Sequence, residues 1–301
     1  MSVPPGVIVF GSAIADLIFR VDRLPGPGET VLGEAGAALP GGKGSNQAIA
    51  AARDGGPGEG RVRFAGCVGA DAHGAMLRAA LSEAGVDTAW LADAAAPSGL
   101  ACVMVDAAGH NQIAVSAGAN RLARAAQVAA IPQGATLLMQ MEVPPGENAA
   151  LIARGRAAGA RLLLNLAPAA ALPREALAAL DLLILNEPEA AWLAAALGCG
   201  ATAGALHAAL GCGVAVTLGA RGAEAVTRDG AIAVPAFAVA VVDTVGAGDA
   251  WCGVLAAALD RGAPLEAAMR RASAAAALAC TRAGAAPAMP RAAETEALLG
   301  R

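Results

Sequence analysis

The 301-residue chain is expected to fold as an α/β protein: a parallel sheet covered by helices on both faces, with a second, smaller β-sheet attached. Three observations predict this. Short apolar runs recur along the chain, and alanine-rich stretches with helical spacing lie between them. Two segments break the alternation with turn residues and β-formers.

In chain order the strand signals are Val7–Phe10, 63–67, 137–141, Arg161–Asn165, Leu182–Asn186 and 214–218. Most are apolar at consecutive positions, as a strand buried on both faces requires. Helical spacing runs over 47–53, 75–84, 147–158, Glu187–Leu197 and 248–259. Residues 15–40 carry no helical spacing and contain the turn Pro25-Gly26-Pro27-Gly28, and 99–115 reads as two strands around 106–111. These two segments are expected to form the small sheet as a lid. No Ser-rich or charged linker and no internal repeat divides the chain, so 1–301 reads as one domain with that lid appended.

Composition narrows the function. The chain is 56% hydrophobic with a mean hydropathy of +0.55, but much of that is alanine, and no uninterrupted apolar run approaches the roughly 18 residues that span a bilayer. The longest charge-free stretch, 190–220, is broken by Gly198, Gly200, Gly204, His207, Gly211 and Gly213. No membrane span is expected, and residues 1–10 show no leader pattern. The six cysteines (Cys67, Cys102, Cys199, Cys212, Cys252, Cys280) stand singly, which fits buried, reduced thiols and a cytoplasmic location. A net charge of −4, four Phe, three Trp and no Tyr argue against nucleic-acid binding. His73, His110 and His207 lack metal-binding spacing and read as surface or loop residues.

The segment Val242-Asp243-Thr244-Val245-Gly246-Ala247-Gly248-Asp249-Ala250 joins an extended run, 231–242, to a helix opening near Gly248. Glycines there let several backbone N–H groups point into one concavity, and a helix N-terminus adds partial positive charge. An ionised Asp249 beside such a nest suits a general base acting on a hydroxyl nucleophile. An ordinary N-terminal acid on a glycine-capped helix has the same pattern, and these residues alone leave both open. Trp251 occupies the third glycine position of a dinucleotide fingerprint, so nicotinamide binding is poorly supported. A second segment, Gly41-Gly42-Lys43-Gly44-Ser45-Asn46-Gln47, also opens a helix; Ala37 and Gly44 exclude a Walker A loop. By itself it is compatible with a plain glycine-rich loop.

Together these segments resemble the ribokinase/PfkB family of sugar kinases, over nearly the whole chain. Gly11-Ser12-Ala13-Ile14-Ala15-Asp16 looks like the family's first-strand sugar contact, and Pro25-Gly26-Pro27-Gly28-Glu29-Thr30 like its lid. The Gly41-to-Asn46 segment matches the N-terminal signature, and the Asp243-to-Asp249 segment the C-terminal one. Gln140-Met141-Glu142, Asn186-Glu187-Pro188-Glu189 and Thr217-Leu218-Gly219-Ala220-Arg221-Gly222 follow in family order.

The resemblance implies a Rossmann-like three-layer αβα domain with a β-lid, and transfer of the γ-phosphoryl of ATP to a sugar's primary hydroxyl. It makes Asp249 the base and Gly246, Ala247 and Gly248 the anion hole. It assigns Asp16, Gly42, Lys43, Asn46 and Glu142 to the sugar, with Ile14 beside them. Asn186, Thr217, Gly219, Gly222 and Ser273 would serve the nucleotide, and Glu189 would hold Mg²⁺ through water. Asp243, Val245, Ala279, Arg282 and Gly284 correspond to a monovalent-cation loop for K⁺, mostly through backbone carbonyls, although Ala288 replaces its usual serine. Asn186 and Glu189 are also expected to form a helix capping box. The family's usual Asn stands as Ile14 here, which cannot bond a sugar hydroxyl. The rest of the pattern looks closest to the ribokinases, which makes D-ribose the leading substrate, while Ile14 makes 2-deoxyribose or a nucleoside the runner-up; a catalytically inactive sugar- or nucleotide-binding regulator is the competing class. Exposed lid edges suit a homodimer.

Overall fold

In a computed structural model, which describes residues 5–55 and 61–300, the chain builds two sheets. Part of the N-terminal segment read for a leader, residues 1–4, lies outside the described residues. β1 (Val7–Phe10) continues into β2 (Ile14–Val21), which leaves the main sheet and pairs with β3 (Gly33–Ala35) and β4 (Leu39–Gly41). α1 (Lys43–Gly55) returns the chain to β5 (Val62–Gly69), α2 (Ala72–Glu83) and β6 (Asp87–Ala94). β7 (Gly99–Val105) and β8 (Asn111–Ser116) complete the small sheet, in the order β3-β2-β7-β8.

The chain then alternates regularly through β9 (Thr136–Met139), α3 (Pro145–Ala157), β10 (Arg161–Asn165), α4 (Arg174–Ala178), β11 (Leu182–Asn186), α5 (Glu187–Leu197), α6 (Ala203–Leu210) and β12 (Gly213–Thr217). A hairpin of β13 (Ala223–Thr227) and β14 (Gly230–Val234) precedes α7 (Ala247–Asp260), α8 (Leu265–Ala279) and α9 (Ala292–Leu299). The large sheet runs β14-β13-β12-β11-β10-β9-β1-β5-β6. It is parallel except at β12–β13 and β13–β14.

The continuous apolar runs serve two cores at once, because successive strand side chains point to opposite faces. In β1, Val7 and Val9 enter the core beneath α1, α7 and α8, while Ile8 and Phe10 enter the one beneath α3, α5 and α6. In β10, Leu163 takes the first face and Leu162 and Leu164 the second. A one-faced sheet would have shown alternation; this one needs both kinds of position apolar.

The expected α/β architecture is borne out, and β1, β10, β11 and α5 fall on the expected residues. The strand expected over 137–141 ends at Met139, which leaves Gln140 and Met141 beyond its carboxyl end, and the extended run expected over 231–242 is a strand only to Val234. Sequence reading passed over β6, β13 and the helices α4, α6, α8 and α9. β6 is an edge strand carrying Asp87 and Asp93, so it lacks the apolar signature.

Cys102, Cys199 and Cys280 are only half-buried, against the expectation that all six cysteines lie in the core. His73 and His207 sit on helices rather than loops, and His207 Nδ1 lies 2.6 Å from the Cys212 carbonyl across the turn that follows α6. Among the described residues no helix is long and apolar enough to cross a membrane.

Candidate active site

The carboxyl ends of β1, β9, β10, β11 and β12 open onto a common face, where parallel sheets bind ligands. α7 starts there. Its N-cap, Gly246, has φ +78°, and a Cβ would lie 2.9 Å from Ala285 Cα, so both conformation and space demand glycine. Ala247 and Gly248 follow in the first turn, whose N–H groups lack helical acceptors and carry the positive end of the helix dipole. A Cβ on Gly248 would meet nothing within 4 Å, so its backbone is open to an approaching ligand.

Asp249 completes that turn, only 7% exposed. Asn46 Nδ2 donates to its Oδ2 at 3.0 Å and Gln47 Nε2 to its Oδ1 at 3.0 Å. Both amides stand on α1, whose own start is set by the small sheet. Gly42, with φ +89°, would place a Cβ 2.7 Å from the Ile14 nitrogen, so the turn between β4 and α1 lies directly on the head of β2. Ser45 N–H bonds the Ser12 carbonyl at 2.8 Å, and its hydroxyl donates to the Gly41 carbonyl.

Glu142 faces the start of α1 from beyond β9. Its Oε2 accepts the Lys43 N–H at 2.9 Å and the Ser12 hydroxyl at 2.5 Å, a favourable placement for an anion. Asp16, on β2, packs its carboxylate on Gly41, where a Cβ would lie 2.2 Å from Oδ2. Among the described residues no donor satisfies that carboxylate. Burial foremost, then Glu142 and Asp249, push its pKa from 3.8 up to about 6. Lys43 answers these acids: Asp249 above all, then Glu142 and Glu189, hold its ammonium more strongly protonated than usual, against the opposing effect of burial. Ile14, 3% exposed, pairs with Gly41 on one side and Gly99 on the other.

On the far side of Asp249, Asn186 and Glu189 form the expected capping box. Glu189 N–H bonds Asn186 Oδ1 at 2.9 Å, and Asn186 N–H bonds Glu189 Oε2 at 2.8 Å. Burial, with Asp249 adding to it, raises the Glu189 pKa against the pull of Asn186 and Lys43. Next to this pair a cleft of about 510 Å³ is lined by Thr217, Gly219, Gly222, Phe237, Gly248 and Ser273, among others. Gly222, at φ +99°, would put a Cβ 2.1 Å from the Val234 carbonyl oxygen. Ser273 is buried and accepts the Trp251 indole N–H at 3.3 Å, while the Arg270 guanidinium stacks 5.3 Å from the Phe237 ring centre.

Asp243, Val245, Ala279, Arg282 and Gly284 gather behind the Gly246 turn rather than in the cleft. Asp243 accepts from Val245 N–H at 3.0 Å and Gly284 N–H at 2.9 Å; the Ala279 carbonyl takes the Arg282 N–H at 3.2 Å. The Arg282 side chain is turned to Glu294, so only its backbone could face an ion. Among the described residues no group of three or more His, Cys, Asp and Glu could hold a metal. Sequence reasoning gave no individual role to Ser12, Gln47 or Gln140, although each lies within one of the motifs, nor to Asn165, whose signal was its place at the end of a strand.

The pattern can be set beside known proteins. A family model described as pfkB family carbohydrate kinase matches residues 5–292. The ribokinase of Haemophilus influenzae is 34% identical over 299 residues, covering 95% of this chain and 96% of that protein. A crystal structure of Thermotoga maritima ribokinase superposes with a TM-score of 0.90 at 31% identity, covering 99% of this chain and all of that one (100%). Arabidopsis thaliana ribokinase complexed with ribose and ATP superposes with a TM-score of 0.84 at 31% identity, covering 99% of each chain. With a family match over almost its full length and relatives of this closeness, the chain belongs to the pfkB family of carbohydrate kinases.

Proposed function

We propose that the protein transfers the γ-phosphoryl group of ATP to O5 of D-ribose, giving D-ribose 5-phosphate and ADP, with Asp249 as general base. The observation that carries this is the buried Asp249 carboxylate held by two amides beside the Gly246–Gly248 nest. The similarity to ribokinases, one of them complexed with ribose and ATP, directs the reading to ribose.

The sugar is held by Asp16, Gly42, Lys43, Asn46 and Glu142. Among the described residues Asp16 has an unspent carboxylate and Asn46 Oδ1 is buried without a partner, so both have acceptors to offer to hydroxyls. Asp249 takes the O5 proton as O5 attacks the γ-phosphorus; the bond to the bridging oxygen breaks and ADP leaves. The N–H groups of Gly246, Ala247 and Gly248 stabilise the charge on the transferring group, and Lys43 adds positive charge from the sugar side. Asn186, Thr217, Gly219, Gly222 and Ser273 hold the nucleotide, with its base in the 510 Å³ cleft.

Mg²⁺ fits this donor set if it is carried mainly by phosphates and waters, since one carboxylate, Glu189, is near and has Oε1 to spare. When bound, it would neutralise phosphate charge. Asp243 with the carbonyls of Val245, Ala279, Arg282 and Gly284 offers hard oxygen ligands to K⁺; Ala288 contributes none from its side chain. Residues 1–301 act as one domain, with the small sheet as a lid over the sugar. Leu32 (90% exposed), Ile113 (54%) and Val115 (56%) leave that lid with an apolar surface, which supports a homodimer through it.

A second reading, phosphorylation of 2-deoxyribose or a nucleoside, is favoured by Ile14: an apolar, buried residue among the sugar ligands leaves one hydroxyl without a partner. The test compares ATP-dependent phosphorylation of D-ribose, 2-deoxy-D-ribose, fructose, adenosine and cytidine, with and without Mg²⁺ and K⁺. A wide margin for ribose supports the main reading, and a deoxy-sugar or nucleoside in front overturns it. Asp249→Asn should lower kcat about 10²–10⁴-fold; turnover near wild type would remove Asp249 from its role. No turnover with any acceptor, despite tight sugar binding, would leave a binding regulator.

A further inference from the structure

Gln47 is fully buried and reaches no surface, yet it touches the proposed base. It does so because α1 and α7 cross closely at a glycine. At Gly253, one turn beyond Asp249 on the same face of α7, a Cβ would lie 2.3 Å from the Gln47 carbonyl oxygen and 2.8 Å from Ala50 Cβ. With glycine there, two successive side chains of α1 reach Asp249, Asn46 at Oδ2 and Gln47 at Oδ1.

Every polar position of the Gln47 amide is spent. Nε2 donates to Asp249 Oδ1 at 3.0 Å and to Asn165 Oδ1 at 3.1 Å, and Oε1 accepts from Gln140 Nε2 at 2.7 Å. A flipped amide would face three groups of the wrong kind: a carboxylate oxygen and a carbonyl oxygen against Oε1, and the Gln140 N–H₂ against its own. Gln140 is fully buried too, and its Oε1 occupies the space a Cβ on Gly11 would fill, 1.9 Å away. Among the described residues that oxygen has no partner, a cost the fold bears to aim Nε2 at Gln47.

We propose that Gln47 is a positioning residue, oriented by Gln140, that holds the Asp249 carboxylate with Oδ1 pinned from the core side, leaving Oδ2, beside Asn46, to take the proton from the acceptor hydroxyl. This rests on the assignment of Asp249 as base. Gln47 touches no ligand in this arrangement and acts only through Asp249, so its removal lowers kcat and spares both Michaelis constants. Gln140 acts one step further back, through the direction of the Gln47 amide.

The experiment measures kcat and KM for sugar and ATP in Gln47→Met, Gln140→Glu, the double variant and Asp249→Asn, with circular dichroism as a check on folding. Gln47→Met keeps the length and loses all three bonds; kcat should fall about 10- to 100-fold with both KM values within about threefold of wild type. Gln140→Glu leaves Gln47 in place but sets an acceptor against Oε1, so kcat should fall in the same direction. The double variant should be no slower than Gln47→Met, because both changes act through one contact. Gln47→Met at near wild-type kcat, a loss carried by KM, or additive losses in the double variant would each overturn the proposal. Should Gln47→Met not fold, Gln140→Glu decides: unchanged kcat refutes the relay. An active Asp249→Asn would instead refute the underlying assignment, whatever Gln47 does.

Discussion

Asparagine at position 16 should stabilise the free protein at alkaline pH while impairing it as a catalyst. Asp16 ionises only near pH 6, against an ordinary value of 3.8, because it is largely buried and the charges of Glu142 and Asp249 act on it. A carboxyl whose pKa is higher in the folded than in the unfolded chain favours the fold when protonated. That contribution is complete below pH 3.8 and is lost as pH rises through about 6. At pH 8 the folded protein therefore bears the whole cost of the ionised group, about 3 kcal/mol from the displacement of its pKa, and about half that once the group's partial exposure is allowed for. No hydrogen bond to the Asp16 carboxylate is lost on substitution among the described residues. For a chain of this size the gain amounts to about 2–5 °C in Tm. The assay is thermal unfolding of wild type and Asp16→Asn without ligand at pH 5, 6.5 and 8. The difference should be largest at pH 8, nearly as large at pH 6.5 and only about half as large at pH 5, while KM for the sugar rises steeply in the variant. A gain of equal size at pH 5 and pH 8, or a variant that melts lower at pH 8, would refute the argument that an unpaired, ionised Asp16 is held there at the expense of stability.

Two further substitutions probe the frame around the site. Gly246→Ala forces a side chain into a left-handed N-cap and against Ala285; it should cost at least about 1–3 kcal/mol in denaturant unfolding and lower kcat tenfold or more. Unchanged kcat would mean that the nest tolerates reshaping. Asp54, 3% exposed, bonds Arg261 NH2 at 2.6 Å and Arg271 Nε at 2.8 Å, tying α1 to α7 and α8. Asp54→Asn should cost about 2–3 kcal/mol, because two guanidiniums lose their shared anion, while kcat of the folded fraction stays near wild type. A loss below about 0.5 kcal/mol would show that solvent replaces the pair.

Local chemistry explains which parts of the site were legible in the sequence. Gly246, Gly42 and Gly222 announce turns because only glycine adopts their positive φ without strain, and each stands at a helix or strand boundary that a pattern can find. Asn186 and Glu189 cap their own helix three residues apart, so their geometry is contained in the motif. β10 and β11 were found residue for residue because their unbroken leucine and isoleucine runs, 162–164 and 182–185, each closed by an asparagine, leave little choice. β6 was missed because an edge strand needs no apolar face on its open side.

The amino-acid sequence by itself determined the α/β class, the two segments of the small sheet, and the chemical identity of the groups that reach the cleft. These follow from short-range periodicity, turn chemistry and residue type. Only the tertiary structure decided that Asp249 is met by two amides from a helix some 200 residues away in the chain, that Gln140 aims one of them, and that Asp16 is left, among the described residues, without a donor near two other acids. Those outcomes depend on how closely α1 and α7 approach at Gly253 and on which side chains fill the space around Gly11. A one-dimensional pattern does not encode packing distances between residues far apart in the chain. Yet a displacement of an ångström or less there makes or breaks a hydrogen bond and moves a buried carboxyl's pKa.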